Sequence, residues 1–210
     1  VAIAVDQYNR LFVVSSTTYQ GIIVMTENGE FTGFIGAQAT TLSAWDIIWK
    51  RFQTDEQKDK TVDLASSEYN NITITEEGFI YVTTSSLNSK QQASAMKNKS
   101  KSGDYSPVKL LNASGDEIMR RNGFYPPSGE VDFEGTINAM GDVISGPSTI
   151  VDGAVGPEDT WSIIDQKRSK VFTYDFDGNL LFAFGDNGSL LGNITKNSLK
   201  AVVYQDTAML

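Results

Sequence analysis

The sequence predicts an all-β fold, a β-propeller built from four-stranded antiparallel blades. Three observations lead there. A short pattern of strand end, polar turn, apolar strand and hydroxyl-rich exit recurs along the chain. Asn-Gly, Ser-Gly and Asp-Gly pairs stand between apolar runs, where a tight reversal needs a residue with positive φ. And the spacing left after removal of three insertions is just under about 40 residues per unit, the period of a propeller blade.

The first strand and turn of the unit read Val5-Asp6-Gln7-Tyr8-Asn9-Arg10, followed by the strand Leu11-Phe12-Val13-Val14. The same order returns at Ile74–Ser85, 69 positions later, and at Val155–Asp165, with a shortened copy from Val202 to Leu210. The second half of the unit repeats as well. Val24–Gly36 aligns without gaps to Thr173–Gly185, and Lys109–Met119 is a looser copy. Each unit reads as four short strands, and such units set radially form a propeller. The blades fall at about 1–37, 69–123, 148–185 and 198–210, the last one truncated. Strands are expected near 1–5, 10–16, 19–26, 30–36, 70–75, 78–84, 107–112, 116–121, 148–155, 160–165, 169–175, 179–184 and 198–204. Three and a half blades are most simply part of a larger ring, since propellers close with about 4–8.

The insertions differ in character. In 41–52 the apolar residues Leu42, Trp45, Ile48, Trp49 and Phe52 have helical spacing. Thr54-Asp55-Glu56-Gln57 then reads as a capping box for a second short helix, so a helical insertion is expected over about 41–63. Its two tryptophans pack on the blades or form a partner-docking patch. Residues 87–106 are rich in Ser, Lys, Gln and Asn, with Lys90, Lys97, Lys99 and Lys101 among them, and read as a mobile solvated loop. The 41–52 helix is therefore expected to be the only substantial one. The third insertion, 124–147, opens with Phe124-Tyr125-Pro126-Pro127. The prolines suit an extended crossing between blades, and Phe124 and Tyr125 beside them are candidates to line a ligand groove.

Composition narrows the chemistry. The 210 residues include no His and no Cys, which removes Ser-His-Asp and Cys-His nucleophile systems and ordinary zinc, haem and iron–sulfur sites. With 17 Lys and Arg against 26 Asp and Glu, the net charge is -9. An acidic chain is a poor nucleic-acid binder, so no nucleic-acid partner is expected, and an RNA-binding propeller would need a basic patch on one face. Asp175-Phe176-Asp177-Gly178-Asn179 has the look of a calcium loop, but its twelfth position is Asp186 rather than Glu and strand residues intervene, so it is read as a hairpin turn. No apolar run nears the roughly 20 residues of a membrane helix. The first residues lack the basic start of a signal peptide, and the chain reads as cut within strand-like segments at both ends.

The units "AVDQYNRLFVVSS…GIIVMTENGEFTGFIG" and "DTWSIIDQKRSKVFTYDFDGNLLFAFG" resemble NHL repeats of bacterial propellers labelled gluconolactonase-like. The order Gly33–Ala37, Ile48–Phe52, Glu68–Ile72 and Glu77–Tyr81 is similar, over essentially the whole chain, to that of extracytoplasmic NHL proteins of Gram-positive anaerobes. The resemblance implies a secreted or cell-surface location and a setting among membrane-transport components, with membrane association through parts outside these residues. Two functions follow as expectations. The first is a non-catalytic binding or scaffold module, without cofactor, for a protein, glycan or small-molecule ligand, using Trp45, Trp49, Phe124 and Tyr125. The alternative is a calcium-dependent lactonase or hydrolase, since related propellers hold a central calcium with Glu, Asn and Asp side chains. In a propeller the first strand of each blade lines the channel. The weak metal candidates are therefore Asp6 and Asp152, with Asn70, Asn71, Thr75 and Gln205 as further oxygen donors.

Overall fold

In a computed structural model, residues 1–15, 21–36, 68–137, 141–194 and 200–202 are described. They form antiparallel sheets stacked as propeller blades. Blade 1 is a four-stranded antiparallel meander of β1 (Ala2–Val5), β2 (Leu11–Val14), β3 (Ile22–Met25) and β4 (Phe31–Ile35). Blade 2 contains β5 (Asn71–Ile74) and β6 (Ile80–Thr83), then, after a helix α1 (Ser89–Lys97), β7 (Val108–Leu111). A hairpin of β8 (Val131–Ile137) and β9 (Val143–Pro147) follows. Blade 3 is the meander of β10 (Ile150–Val155), β11 (Trp161–Asp165), β12 (Lys170–Tyr174) and β13 (Leu180–Phe184). The innermost strands sit side by side, β1 next to β5 and β5 next to β10. That is the radial order of a propeller.

Apolar alternation drives this stacking. Phe12, Val14, Ile22 and Val24 of blade 1 meet Ile72, Ile80, Val82 and Leu111 of blade 2 in one core. The opposite face of blade 2, with Tyr81, Val108 and Leu110, meets Ile150, Trp161, Ile163, Phe172 and Tyr174 of blade 3. Trp161 stacks on Tyr174 with centroids 4.7 Å apart and contacts Tyr81 at 5.5 Å. Each such side chain stabilises the stack by roughly 1.5–3 kcal/mol.

The repeat extends to irregularities. In blade 1 a bulge leaves Thr32 between the pairs Val24↔Gly33 and Met25↔Phe31. In blade 3 the bulge leaves Leu181 between Thr173↔Phe182 and Tyr174↔Leu180, at the aligned position. The hairpin turns share one geometry too. The first residue's N–H reaches the fifth residue's carbonyl, and the fourth has positive φ. Asn9, Gly29, Gly78, Gly115, Asp159 and Gly178 occupy that fourth place. Asp175–Asn179 is one of these turns, with Asn179 N–H donating to Asp175 Oδ1 at 2.8 Å, in keeping with its reading as a hairpin.

Several expectations need correction. A fourth strand at 116–121 is not formed. Pairing starts where Ile118 N–H reaches the Leu110 carbonyl at 2.8 Å. At the next outward carbonyl, that of Val108, the buried Arg121 guanidinium and Ser106 hydroxyl take the place a strand N–H would fill. Asn122 N–H is drawn instead to the Asp177 carbonyl of blade 3. The segment 87–106 is not a shapeless loop, and the helix of 41–52 is not the only one to be expected. Ser89–Lys97 is helical, capped by Asn88, whose side chain accepts from Lys90 and Gln91 N–H, and seated by buried Gln92 and Met96. Two seated residues suffice, which is why no apolar stripe announces it. The third insertion is more than an extended crossing, because Val131–Ile137 pairs with Val143–Pro147 as the β8–β9 hairpin. The helical insertion, with Trp45 and Trp49, and most of the fourth unit, with Gln205, lie outside the described residues.

Two glycines separate conformational from packing cost. Gly78 (φ +85°) has open space where a Cβ would stand, whereas a Cβ on Gly178 (φ +84°) would overlap the Arg120 carbonyl oxygen. Gly78→Ala is expected to cost about 1–2 kcal/mol. Gly178→Ala should cost a further ~1–3 kcal/mol, because the overlap is with backbone. Urea unfolding of both variants checks the order.

Candidate functional site

The channel-side donors separate into two groups. Asp6 opens the first hairpin turn of blade 1. Its Oδ1 accepts from the N–H groups of Tyr8 at 3.0 Å and Arg10 at 2.9 Å, and its Oδ2 accepts from Arg10 Nε at 2.8 Å. Thr75 does the same job in blade 2, its Oγ accepting from Phe79 N–H. Thr26, Asn112 and Asp175 hold the same place in other turns. These side chains satisfy backbone N–H groups that the left-handed fourth residue leaves without ladder partners. Asp6 and Thr75 are turn caps, and neither joins Asp152.

Asn70, Asn71 and Asp152 do converge. Asn71 and Asp152 occupy the same place in the repeat, each four residues before the first residue of its blade's hairpin turn (Thr75 and Gly156) and paired with the second strand at Thr83 and Ile164. They face each other across neighbouring inner strands, and Asn71 Nδ2 donates to Asp152 Oδ1. That oxygen also accepts from Gly153 N–H at 2.9 Å, while Oδ2 accepts from Val202 N–H at 2.6 Å. Asn71 Oδ1 accepts from Ile72 N–H. Alongside, Asn70 Nδ2 donates to the Ile150 carbonyl at 3.0 Å and Thr73 Oγ to the Gly153 carbonyl at 2.7 Å. The result is a polar seam that ties blade 2 to blade 3 and draws the segment after blade 3 back to the channel.

The described donors do not by themselves make a calcium site. Calcium takes six to eight oxygens. The seam offers one carboxylate whose two oxygens are already occupied, and among the described residues no group of three acidic side chains is arranged to hold a metal. Burial raises the Asp152 carboxyl above its usual range, against the pull of the N–H groups of Val202 and Gly153 and of the Asn71 amide. Asp6 behaves oppositely. Burial pushes it up, but the Arg10 N–H and guanidinium and the Tyr8 N–H outweigh burial and leave its carboxyl below 3.8.

The second location is an aromatic surface. Phe124 is 71% exposed and Tyr125 54%. The rings meet edge to face with centroids 4.7 Å apart, and Pro126 and Pro127 restrict the backbone behind them. Helix α1 supplies a residue that sequence reasoning missed. Its C-terminal reversal places Lys99 at φ +53°, with Lys99 N–H on the Met96 carbonyl and Ser100 N–H on that of Ala95. Lys99 Nζ thereby lies 3.2 Å from the Phe124 centroid, and Lys101 Nζ donates to the Gly123 carbonyl. Only the lysine-rich composition pointed toward this contact.

No protein-family model and no curated protein matches the chain. Solved structures do. Virginiamycin B lyase from Staphylococcus aureus is 12% identical with a TM-score of 0.37, over 87% of this chain and 54% of that one. The extracellular domain assigned to a one-component system of B. thetaiotaomicron is 11% identical with a TM-score of 0.41, over 98% of this chain and 24% of that one. The chain thus spans about half the length of the first and about a quarter of the second.

The Asp6 cap has a pH signature. Its folded-state pKa is depressed, so its contribution is complete above the unfolded value near 3.8 and is lost as pH falls through the lower, folded value. Asp6→Asn should lower Tm at pH 7. The gap from the parent protein should close in melts taken below pH 3.8.

Proposed function

We propose that the chain is part of a non-catalytic, extracytoplasmic β-propeller that acts as a binding module, with Phe124 and Tyr125 as its contact surface for a glycan or a partner protein. The observation that carries this is the exposed, edge-to-face aromatic pair, backed by prolines and flanked by Lys99. Large apolar rings held rigidly in water lose little conformational entropy on contact and bury much surface, which is how interface anchors work. The family resemblance supports the location and an association with membrane-transport components. By sequence, Trp45 and Trp49 belong to the same proposal. Affinity electrophoresis against cell-surface polysaccharides tests it. The parent protein should be retarded by at least one polymer, and Phe124→Ala/Tyr125→Ala should run freely with unchanged Tm. Equal retardation of both proteins would remove these residues from the contact surface.

A second reading, the calcium-dependent lactonase, draws on one observation, the meeting of Asn71 and Asp152 at equivalent places of adjacent inner strands. On the binding-module reading, added calcium leaves Tm unchanged and a lactone panel is not turned over. Calcium binding tighter than about 10 µM, within the range of built protein sites, and abolished by Asp152→Ala would overturn the binding-module reading, and turnover of a lactone that depends on that calcium would favour the lactonase instead.

A further inference from the structure

A cavity of about 270 Å³ opens between blades 2 and 3 at the end that carries the hairpin turns. Its inner walls are apolar and aromatic, formed by Phe79, Tyr81, Leu110, Val155 and Phe176, and its rim carries Glu77 and Asp159. This is the uncovered end of the core shared by the two blades, against which Phe79, Val155 and Phe176 pack while staying partly open.

Three features of the cavity point the same way. First, Glu77 and Asp159 are exposed, and among the described residues neither carboxylate has an ion pair or hydrogen bond. Among the described residues the cavity wall contains no Lys or Arg, so its mouth carries two negative charges with no cation lining it. Second, the walls present aromatic rings, whose faces attract cations by their quadrupole. Phe176 already does so within the protein, with the Arg120 guanidinium carbon 4.8 Å from its centroid, although Arg120 itself is held by Asp177 at 2.8 Å outside the cavity. Third, Tyr81 is only 7% exposed, and its hydroxyl makes no hydrogen bond among the described residues and is not sealed from solvent, which leaves it available on the cavity wall. Burial and then the nearby Asp159 carboxylate raise its pKa, so the hydroxyl stays protonated and keeps a donor for whatever enters.

We propose that this cavity is a binding site for a small organic cation, an alkylated ammonium compound bearing a hydroxyl or similar acceptor. The aromatic walls take the alkyl groups, Glu77 and Asp159 neutralise the charge at the mouth, and Tyr81 meets the polar end. An inorganic cation would find too few oxygens here, and an anion would be repelled at the mouth. The site is separate from the Phe124–Tyr125 surface and does not depend on that reading.

Choline and its uncharged isostere 3,3-dimethylbutan-1-ol are the probes, since they share shape and hydroxyl and differ in charge. Binding is followed by NMR titration through the Gly78 and Gly156 amide resonances of the two turns at the rim. Choline should give saturable shifts and bind at least about tenfold tighter than the isostere, a ratio within reach of combined charge and cation–π contributions. Glu77→Gln and Asp159→Asn should each weaken choline about threefold or more and leave the isostere unchanged. Phe79→Leu should weaken choline more than the isostere. The carboxylates are exposed, so these two substitutions leave the fold intact, which thermal melts verify. Equal affinity for the two probes, indifference of choline to both carboxylate substitutions, or no saturable shift with choline would overturn the proposal.

Discussion

A blade with two apolar faces is stable only between two neighbours, and the rest of the structure follows from that. Blade 2 shows it most fully. Ile80 and Val82 point into the core shared with blade 1, and Tyr81 points into the core shared with blade 3. All four residues of β6 are buried, as are all five of β11 in blade 3, whereas β2 of blade 1 alternates between buried and half-buried. Covering both faces also brings inner strands close enough for side chains to cross between them. Asn70, Asn71 and Thr73 bond to the backbone and side chain of the 150–153 segment, so the channel wall is held by hydrogen bonds where the apolar core ends. Polar groups at such a seam are tolerable only when satisfied, and these half-buried side chains and the buried Asp152 are.

The hairpin turns explain why acidic residues near the channel need not be ligands. One backbone geometry recurs at each turn, and it leaves N–H groups for a side chain at the first position to accept. Asp, Asn and Thr all meet that demand. An aspartate chosen for this duty looks in sequence like a metal candidate, as Asp6 does. Its bonds to Tyr8 and Arg10 identify it as a cap. The 156–160 turn departs from this pattern, with Glu158 as well as Asp159 at positive φ, where most residues are destabilised by about 1–2 kcal/mol, and it brings Asp159 to the mouth of the cavity between blades 2 and 3.

The insertions give the repeat its individuality. Helix α1 replaces a simple link between β6 and β7, and its last turn carries Lys99 to Phe124, a residue 25 positions further along. The departure of the chain from blade 2 after Ile118 is equally specific, since Arg121 turns inward to Glu117 and to the carbonyls of Met119 and Val108. These contacts belong to blade 2 and its insertions, and among the described residues they have no counterpart in the other blades.

By itself the sequence determined the blades. Alternating apolar residues set which face of each strand is buried, glycine or its substitutes marked the turns, and the gapless match of Val24–Gly36 to Thr173–Gly185 carried even the shared bulge. Such local periodicities leave a trace in the residue string because every unit obeys the same packing rule. Tertiary structure alone decided which polar residues meet. Asn71 and Asp152 are 81 positions apart and touch only because inner strands stack radially. The helix at Ser89–Lys97 rests on a cap and two seated side chains, too little to show as a stripe. The charged, aromatic-walled cavity assembles Glu77 and Phe79 from one blade with Asp159 and Phe176 from the next. No spacing along the chain encodes that meeting, because its distance is set by the rotation between two blades.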